Sequence, residues 1–414
     1  MAETIRHGVW LYQKLVGYLY AHDNFTWYEF DDAYLADPDR PVLGLRFEEN
    51  LRARVAANLR LPPWFSNLLP EGILRRWIAA ERDVSPDREM ELLAQVGHDL
   101  PGAVRVLPTG QHAVDEVDSI AAQAKTFKGD ALPEDCWRFS LAGVGLKFSM
   151  LRTGERFTCT ATGAGGDWIL KLPDVTYSAV PRNEYAMMRF AAAVGIDVPE
   201  VALVHRDQVE NLPATAWPSN ENWAFAVRRF DRADTRELIH IEDLAQVRGV
   251  YPIQKYEGNF ETVASLIYRG HDSAALKEFV RRLTFFALIG NGDAHLKNWS
   301  LIYRDRRIPT LSPAYDVVAT EAYRPEGEPE DLGLKFAGSR RIEEMRVTHF
   351  NRLARKLDTT TDLSAVAADT VYRAVRCWPE VKEELADLVF IRQSVERSLR
   401  ERSASLLRGS DTRM

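Results

Sequence analysis

The sequence predicts a mixed α/β fold in which a β-rich part precedes an α-rich part. Residues 9–12 and 16–20 show the alternation typical of half-buried strands. From about residue 236 onward the apolar spacing becomes mainly helical, for example over 260–268 and 274–288. Because 414 residues exceed one typical domain, we expect lobes with a site between them.

Changes in composition and periodicity divide the chain into three predicted domains. A polar stretch at 109–118 marks the end of the first domain, and the change from strand-like to helical periodicity separates the other two. The predicted domains are residues 1–108, 136–235 and 236–414.

The middle domain is predicted to contain several strands and one helix, over 184–194. Asn183 is expected to cap this helix at its N-terminus, and Gly195 is expected to follow its C-terminus. The strand-like runs are 147–151, 168–172 and 223–227.

Composition excludes several classes of function. The formal net charge of −7 gives no general attraction to nucleic acid. The three cysteines, Cys136, Cys159 and Cys377, lack metal-ligand spacing and are expected to be free thiols in a reducing cytosol. No leader pattern and no apolar run long enough to span a bilayer occurs, so a cytoplasmic protein without membrane contact is expected.

A polar cluster at 290–298 lies between an apolar helix and an apolar strand, where catalytic loops are often found. Asp293 and Asn298 have the spacing of a protein-kinase catalytic loop, in which the Asp receives the proton of the attacking hydroxyl group and the Asn ligates magnesium. Asp316 follows within a short apolar stretch and is the candidate main metal ligand. Asp293 or Asn298 taken alone is explained by an ordinary turn built on Gly and Asx residues. The three residues Asp293, Asn298 and Asp316 in this order favour phosphoryl transfer.

Two upstream features are candidates for binding phosphate. Residues 140–147 contain small residues whose N–H groups can approach phosphates, although a plain β-turn is an open alternative. Lys171 is a lone cation in an apolar strand and must reach either solvent or an anion. We expect it to hold ATP phosphates and to be oriented by Glu184, which is otherwise a favourable acid in the first turn of a helix.

Residues 225–232 form a strand that leads into a charged turn and is a candidate for docking adenine. Such recognition uses backbone groups, so the side chains of Arg228 and Arg229 do not decide between it and a plain solvent-facing edge. His295 has no second His or Cys nearby, which favours a structural or phosphate-side role over metal binding.

These segments, in this order, resemble the HipA serine/threonine kinase family over nearly the whole chain. The resemblance rests on residues 140–147, 171–173, 183–184, 229–232, 291–298 and 315–316. Residues 65–72 and 93–99 resemble the N-terminal subdomain of full-length members, and residues 332–338 resemble a segment that follows the metal-binding aspartate.

The resemblance implies a bilobal fold like that of protein and phosphatidylinositol kinases, with an all-α C-terminal lobe. It also implies ATP and Mg²⁺ as cofactors and phosphorylation of a translation-related protein, typically an aminoacyl-tRNA synthetase, with growth arrest and persistence as the outcome. The implied partner is a HipB-type helix-turn-helix antitoxin, through which the chain contacts operator DNA and represses its operon.

The predicted site residues combine the pattern and the resemblance. Asp293, Asn298 and Asp316 are the catalytic set, and Asn298 and Asp316 hold the metal. The predicted ATP contacts are Ala142, Gly143, Val144, Gly145, Leu146, Lys147, Lys171, Arg228, Arg229, Phe230, His295, Lys297, Asn298, Tyr315 and Asp316. Ser140 is the implied autophosphorylation site, and Gly145 departs from the family by standing where glutamine is common.

Two other functions stay open on the sequence. A small-molecule or lipid kinase shares the arrangement of Asp293 and Asn298. The second alternative is a corepressor that has a kinase fold but no kinase activity. The presence of all four predicted residues argues against it: Asp293, Asn298, Asp316 and Lys171.

Overall fold

The chain folds into two compact units. A computed structural model describes residues 4–109, 147–159, 165–212, 216–217, 219–325 and 327–408. The first unit comprises Met1–Leu172, Val204–Ile253 and Ile302–Pro309, and the second comprises Pro173–Leu203, Gln254–Leu301 and Thr310–Met414. Residues 140–146, which include Ser140 and most of the predicted phosphate loop, lie outside the described residues.

Strands dominate the first half of the described chain and helices the second. The strands are β1 (Ile5–Leu11), β2 (Lys14–His22), β3 (Phe25–Phe30), β4 (Val55–Asn58), β5 (Val104–Pro108), β6 (Lys147–Thr153), β7 (Arg156–Cys159), β8 (Trp168–Lys171), β9 (Val201–His205), β10 (Val209–Glu210), β11 (Trp223–Arg228), β12 (His240–Asp243), β13 (Ser300–Tyr303), β14 (Thr310–Leu311), β15 (Asp331–Phe336) and β16 (Ser339–Arg341). The α-helices are α1 (Asp32–Ala36), α2 (Leu45–Glu48), α3 (Pro63–Ser66), α4 (Gly72–Glu81), α5 (Glu89–Val96), α6 (Val180–Val194), α7 (Leu244–Arg248), α8 (Phe260–Tyr268), α9 (Ser273–Ile289), α10 (His349–Lys356), α11 (Leu363–Val381) and α12 (Val389–Leu406).

Two sheets organise the first unit. One is antiparallel in the order β4-β3-β2-β1-β5, and it buries alternate side chains such as Val9, Leu11 and Leu19. The other has the order β10-β7-β6-β8-β11-β9. The strands predicted from alternation in the first hundred residues are β1 and β2, and those predicted in the middle domain are β6, β8 and β11.

Helices make up most of the second unit. The apolar residues Leu276, Phe279, Leu283 and Phe286 recur along α9 at helical spacing and are all buried. Helices α8, α11 and α12 pack against α9. The mixed fold with a β-rich part and an α-rich part is therefore confirmed.

The C-terminal part is α-rich but not purely helical, in contrast to the expected all-α lobe. Strands β15 and β16 form an antiparallel hairpin. The apolar run in β15 is too short for a helical repeat, and it buries Leu332 and Leu334 in the extended conformation instead.

The start of α6 differs from the prediction that Asn183 caps it. The helix begins at Val180, with Pro181 in its first turn, and Asn183 is fully buried inside it. The Asn183 carboxamide bonds to Ala319 instead, accepting from its N at 3.1 Å and donating to its O at 3.1 Å. Gly195 ends the helix with φ +92°, as the sequence predicts.

A buried ionic cluster connects the segment 93–99 to the segment that follows β11. Arg229 pairs with Asp231 at 2.8 Å and with Asp99 at 3.3 Å. Arg232 pairs with the same two carboxylates at 2.9 and 3.0 Å. Burial alone would raise the pKa of Asp231, but the charges of Arg229 and Arg232 lower it instead. The cluster holds two positive and two negative charges, which satisfy one another.

The segment 65–72 also has a structural role. Asn67 is buried, and its Nδ2 donates at 2.8 Å both to Pro63 O and to Val250 O. Both N-terminal segments that resemble the family therefore connect the first hundred residues to the region around 229–250. Within the described residues, no helix combines the length and apolar character needed to cross a membrane.

We predict that Asp99→Asn lowers the free energy of unfolding by about 3 kcal/mol, because it leaves two buried arginines facing one carboxylate. Urea denaturation measures the change. The matched control is Asp234→Asn, since Asp234 pairs with Arg228 at 2.6 Å but its side chain is 92% exposed. Equal stabilities of the two variants would contradict the role given to the cluster.

Candidate active site

The candidate catalytic loop, 290–298, follows α9 and leads into β13. Inside the loop, Asp293 N donates to Asn291 Oδ1 at 3.0 Å, and His295 N donates to Asp293 O at 2.7 Å. Leu296 N donates at 3.0 Å to Lys255 O, outside the loop. These bonds fix the backbone on both sides of the Asp293 side chain.

Asp293, the candidate base, is half exposed, with 48% of its side chain accessible to solvent. Its Oδ1 accepts a hydrogen bond from the Tyr256 hydroxyl group and lies 3.9 Å from His295 Nε2. Partial burial and the negative charge of Asp316 raise the pKa of Asp293 to about 6. A carboxylate with this pKa is ionised at neutral pH and is more basic than an ordinary aspartate.

Asn298 is buried, and its amide orientation is fixed. Its Nδ2 donates to Asp293 O at 2.7 Å, and no hydrogen bond from the described residues reaches its Oδ1. The carboxamide therefore offers an oxygen, the kind of donor that magnesium takes.

Asp316 adopts a left-handed backbone conformation, with φ +59°. Aspartate tolerates this conformation better than most residues, and such positions often occur at functional sites. The neighbouring Tyr315 connects the segment to the loop, because its hydroxyl group donates to Lys297 O at 2.8 Å and lies 2.6 Å from Ser300 Oγ.

A second connection to the loop comes from residues 320–330. Gly292 N donates to Thr320 Oγ1 at 2.8 Å, and that hydroxyl group lies 3.0 Å from Gly290 O. Thr320 Oγ1 also lies 2.9 Å from the Glu330 carboxylate. The hydroxyl groups of Tyr315 and Thr320 thus attach the segment of Asp316 to the backbone of the loop that carries Asp293 and Asn298.

Helix α12 supports the same region from the C-terminal end of the chain. Arg402 is buried, donates to Ala287 O in the last turn of α9 at 3.1 Å, and pairs with Glu321 at 2.6 Å. Glu321 N in turn donates to Gly290 O at 3.1 Å. Arg402 has no local signal in the sequence, since it is one arginine among several in an ordinary helix.

Gly333 in β15 allows a close approach to the loop. A Cβ atom at Gly333 would lie 2.8 Å from the Ala294 carbonyl carbon, closer than packed atoms approach. The β15–β16 hairpin therefore packs directly on the backbone beside Asp293.

In the first unit, two lysines predicted to bind phosphate lie directly opposite each other. Lys147 on β6 pairs with Lys171 on β8, so both side chains emerge on the same face of the sheet. Lys171 Nζ also lies 5.7 Å from the centre of the Phe225 ring. Two ammonium groups at opposite positions concentrate positive charge, which favours an anionic ligand.

The predicted adenine segment is only partly available for binding. The Arg229 guanidinium is fully buried in the ionic cluster, and Arg229 N donates to Asp167 O at 2.8 Å. The side chain and the N–H group of Arg229 therefore have structural partners, and the nucleotide contact predicted for this residue stays a prediction. Arg228 pairs with Asp234, and Phe230 is partly buried.

The other predicted residues lie in α6, inside the loop, or outside the described chain. Glu184 is buried in α6, in the second unit, so its pairing with Lys171 stays a prediction. His295 and Lys297 are buried within the loop. Those outside the described residues are Ser140, Ala142, Gly143, Val144, Gly145 and Leu146.

The oxygen donors of the loop fit a magnesium ion. No group of three or more His, Cys, Asp or Glu side chains suited to a metal occurs within the described ranges. Magnesium is usually held by one or two protein oxygens together with phosphates and water. Asn298 Oδ1 and the Asp316 carboxylate match such a set.

Comparison with known proteins identifies the family. The profile of the HipA-like C-terminal domain matches residues 139–378, more than half of the chain, and that of the HipA N-terminal domain matches residues 7–107. The chain belongs to the HipA family. Because it carries both regions, it is a full-length HipA-family chain.

This HipA-family chain has similar relatives in several bacteria. It is 42% identical over 373 residues to the putative kinase Y4dM of Sinorhizobium fredii, which covers 88% of each chain. It is 27% identical over 293 residues to the serine/threonine-protein kinase toxin HipA of Shewanella oneidensis, which covers 62% of each.

A solved structure shows the same fold. The HipA chain of Shewanella oneidensis MR-1, determined with HipB and its operator DNA, superimposes with a TM-score of 0.73 over 97% of each chain at 20% identity. The HipA-like fold predicted from the sequence is thereby confirmed.

We predict that Asp293→Asn stabilises the protein at pH 8 and that this gain shrinks as the pH falls toward 4. Because the folded-state pKa of about 6 lies above the ordinary value of 3.8, folding favours the protonated carboxyl group. That favourable contribution is complete below the ordinary pKa and is lost as the pH rises through 6. Thermal unfolding between pH 4 and 8 measures the difference, and a gain that does not change with pH would contradict the raised pKa.

Proposed function

We propose that this chain is an ATP- and magnesium-dependent serine/threonine protein kinase. The observation that carries the proposal is that Asp293 and Asn298 lie on one fixed loop, to which Tyr315 attaches the segment of Asp316, and that the Asp316 charge acts on Asp293. Its membership of the HipA family and its similarity to proteins named as kinases support the same assignment.

Each loop residue has a distinct role in the proposed reaction. Asp293 accepts the proton of the substrate hydroxyl group while the oxygen of that hydroxyl group bonds to the γ-phosphorus of ATP. The bond between the γ-phosphorus and the bridging oxygen, which leaves with ADP, breaks. Asn298 Oδ1 and the Asp316 carboxylate would hold Mg²⁺, which would neutralise phosphate charge when bound. His295, Lys297 and Tyr315 support this arrangement from within or beside the loop.

The phosphates of ATP are assigned to the paired lysines of the first unit. Lys147 and Lys171 face the same side of their sheet, and together they supply two positive charges. The preceding residues 142–146 would add backbone N–H groups, and Ser140 would be the autophosphorylation site that displaces this loop.

The proposed biological role is that of a toxin in a toxin–antitoxin pair. A relative is named as a kinase toxin, and the solved HipA chain was determined with HipB and operator DNA. We assign to this chain a HipB-type helix-turn-helix antitoxin, with which it represses its operon. We further assign it a translation-related protein, such as an aminoacyl-tRNA synthetase, as substrate.

Phosphoryl transfer tests the proposal. Wild-type chain incubated with γ-labelled Mg-ATP and a bacterial lysate should label protein bands, whereas Asp293→Asn and Asp316→Asn should lower labelling at least a hundredfold. The control is Asp369→Asn, since the Asp369 side chain on α11 is 53% exposed and pairs with Arg373 in the same helix. Labelling confined to small molecules or lipids would contradict a protein kinase.

The two active-site variants should differ in nucleotide binding. Asp316→Asn removes a metal ligand while keeping a side chain that tolerates the left-handed backbone, so it should weaken Mg-ATP binding about tenfold or more. Asp293→Asn removes no ligand and should leave the dissociation constant within about twofold. Calorimetry with Mg-ATP distinguishes them, and the reverse order would overturn the assigned roles.

The isolated chain should bind DNA only weakly, because its net charge of −7 provides no general attraction to phosphates. A gel shift at physiological salt should show tight operator binding only after a helix-turn-helix partner is added. Sequence-specific nanomolar binding by the chain alone would contradict the proposal that the helix-turn-helix partner provides the affinity for the operator.

A further inference from the structure

Tyr256, in the segment before α8, reaches the candidate base from outside the catalytic loop. Its hydroxyl group donates a hydrogen bond to Oδ1 of Asp293. Its ring packs edge-on against the His295 ring, with centroids 5.0 Å apart and planes at 81°. The tyrosine is 38% exposed, so it approaches the base from the solvent side.

The backbone around Tyr256 is attached to the same structure that carries the loop. Arg340 donates to Tyr256 O at 2.6 Å and, through its other terminal nitrogen, to Gly333 O at 2.6 Å. Gly333 packs on the backbone of Ala294, next to Asp293. The bond from Leu296 N to Lys255 O holds the residue before Tyr256 as well. Tyr256 is therefore a fixed part of the loop surroundings.

The two carboxylate oxygens of Asp293 have different environments. Oδ1 accepts from Tyr256 and lies 3.9 Å from His295 Nε2. No hydrogen bond from the described residues reaches Oδ2. Fixing one oxygen restricts rotation of the carboxylate and leaves the other oxygen to receive a substrate hydroxyl group.

We propose that Tyr256 is a positioning residue for the base, holding Oδ1 of Asp293 so that Oδ2 faces the acceptor hydroxyl group. The inference rests on the proposed function, because it takes Asp293 as the base. It adds a residue that none of the loop motifs contains.

The test compares Tyr256→Phe with Tyr372→Phe. Tyr372 lies on α11 and is 37% exposed, so both variants lose one partly exposed hydroxyl group. Transfer from γ-labelled Mg-ATP to casein and to the chain itself is measured at pH 7. Tyr256→Phe should lower kcat about tenfold, because the carboxylate of the base is no longer held in one orientation. The KM for ATP should stay within about twofold, and Tyr372→Phe should match wild type.

Measuring Asp293→Asn in the same assay distinguishes a failure of the Tyr256 proposal from a failure of the proposed function. If Asp293→Asn is inactive while Tyr256→Phe keeps the wild-type kcat, the role of Tyr256 is overturned and the proposed function stands. A faster Tyr256→Phe, or one that no longer binds Mg-ATP, also overturns that role. If Asp293→Asn is as active as wild type, or if wild type transfers no phosphate, the proposed function fails.

Discussion

The carboxylates of Asp293 and Asp316 repel each other, and the protein must hold both in place despite that repulsion. The negative charge of Asp316 is one cause of the raised pKa of Asp293. Left to themselves, two flexible segments with these side chains would separate or take up a proton. Bonds from Tyr315, Thr320 and Glu321 instead attach the Asp316 segment to the backbone of the loop. A magnesium ion at Asp316 would relieve the repulsion, so the energetic cost falls when the proposed cofactor binds.

This constraint explains why distant parts of the second unit contact the loop. The guanidinium of Arg402 in the last helix connects the end of α9 to Glu321. The β15–β16 hairpin approaches through Gly333, where a side chain would collide with Ala294. These residues do not take part in the proposed reaction. They limit how far the reactive groups can move, and phosphoryl transfer depends on holding those groups in position.

Sequence alone predicted the parts of the site that lie close together along the chain. Asp293 and Asn298 share one loop with a recognisable spacing, and the flanking helix and strand have clear periodicity. Tyr256 and Arg402 were missed because a lone tyrosine or arginine in an ordinary segment carries no local signal. The buried ion pair of Arg229 was also missed, because its partner Asp99 comes from a distant segment of the chain.

The most direct test of this account is a crystal structure of the chain with Mg²⁺ and a non-hydrolysable ATP analogue. The metal should be bound by the Asp316 carboxylate and by Asn298 Oδ1, each at about 2.0–2.1 Å. Oδ2 of Asp293 should face the γ-phosphate side of the nucleotide. A nucleotide bound with its metal away from both Asn298 and Asp316 would contradict the account.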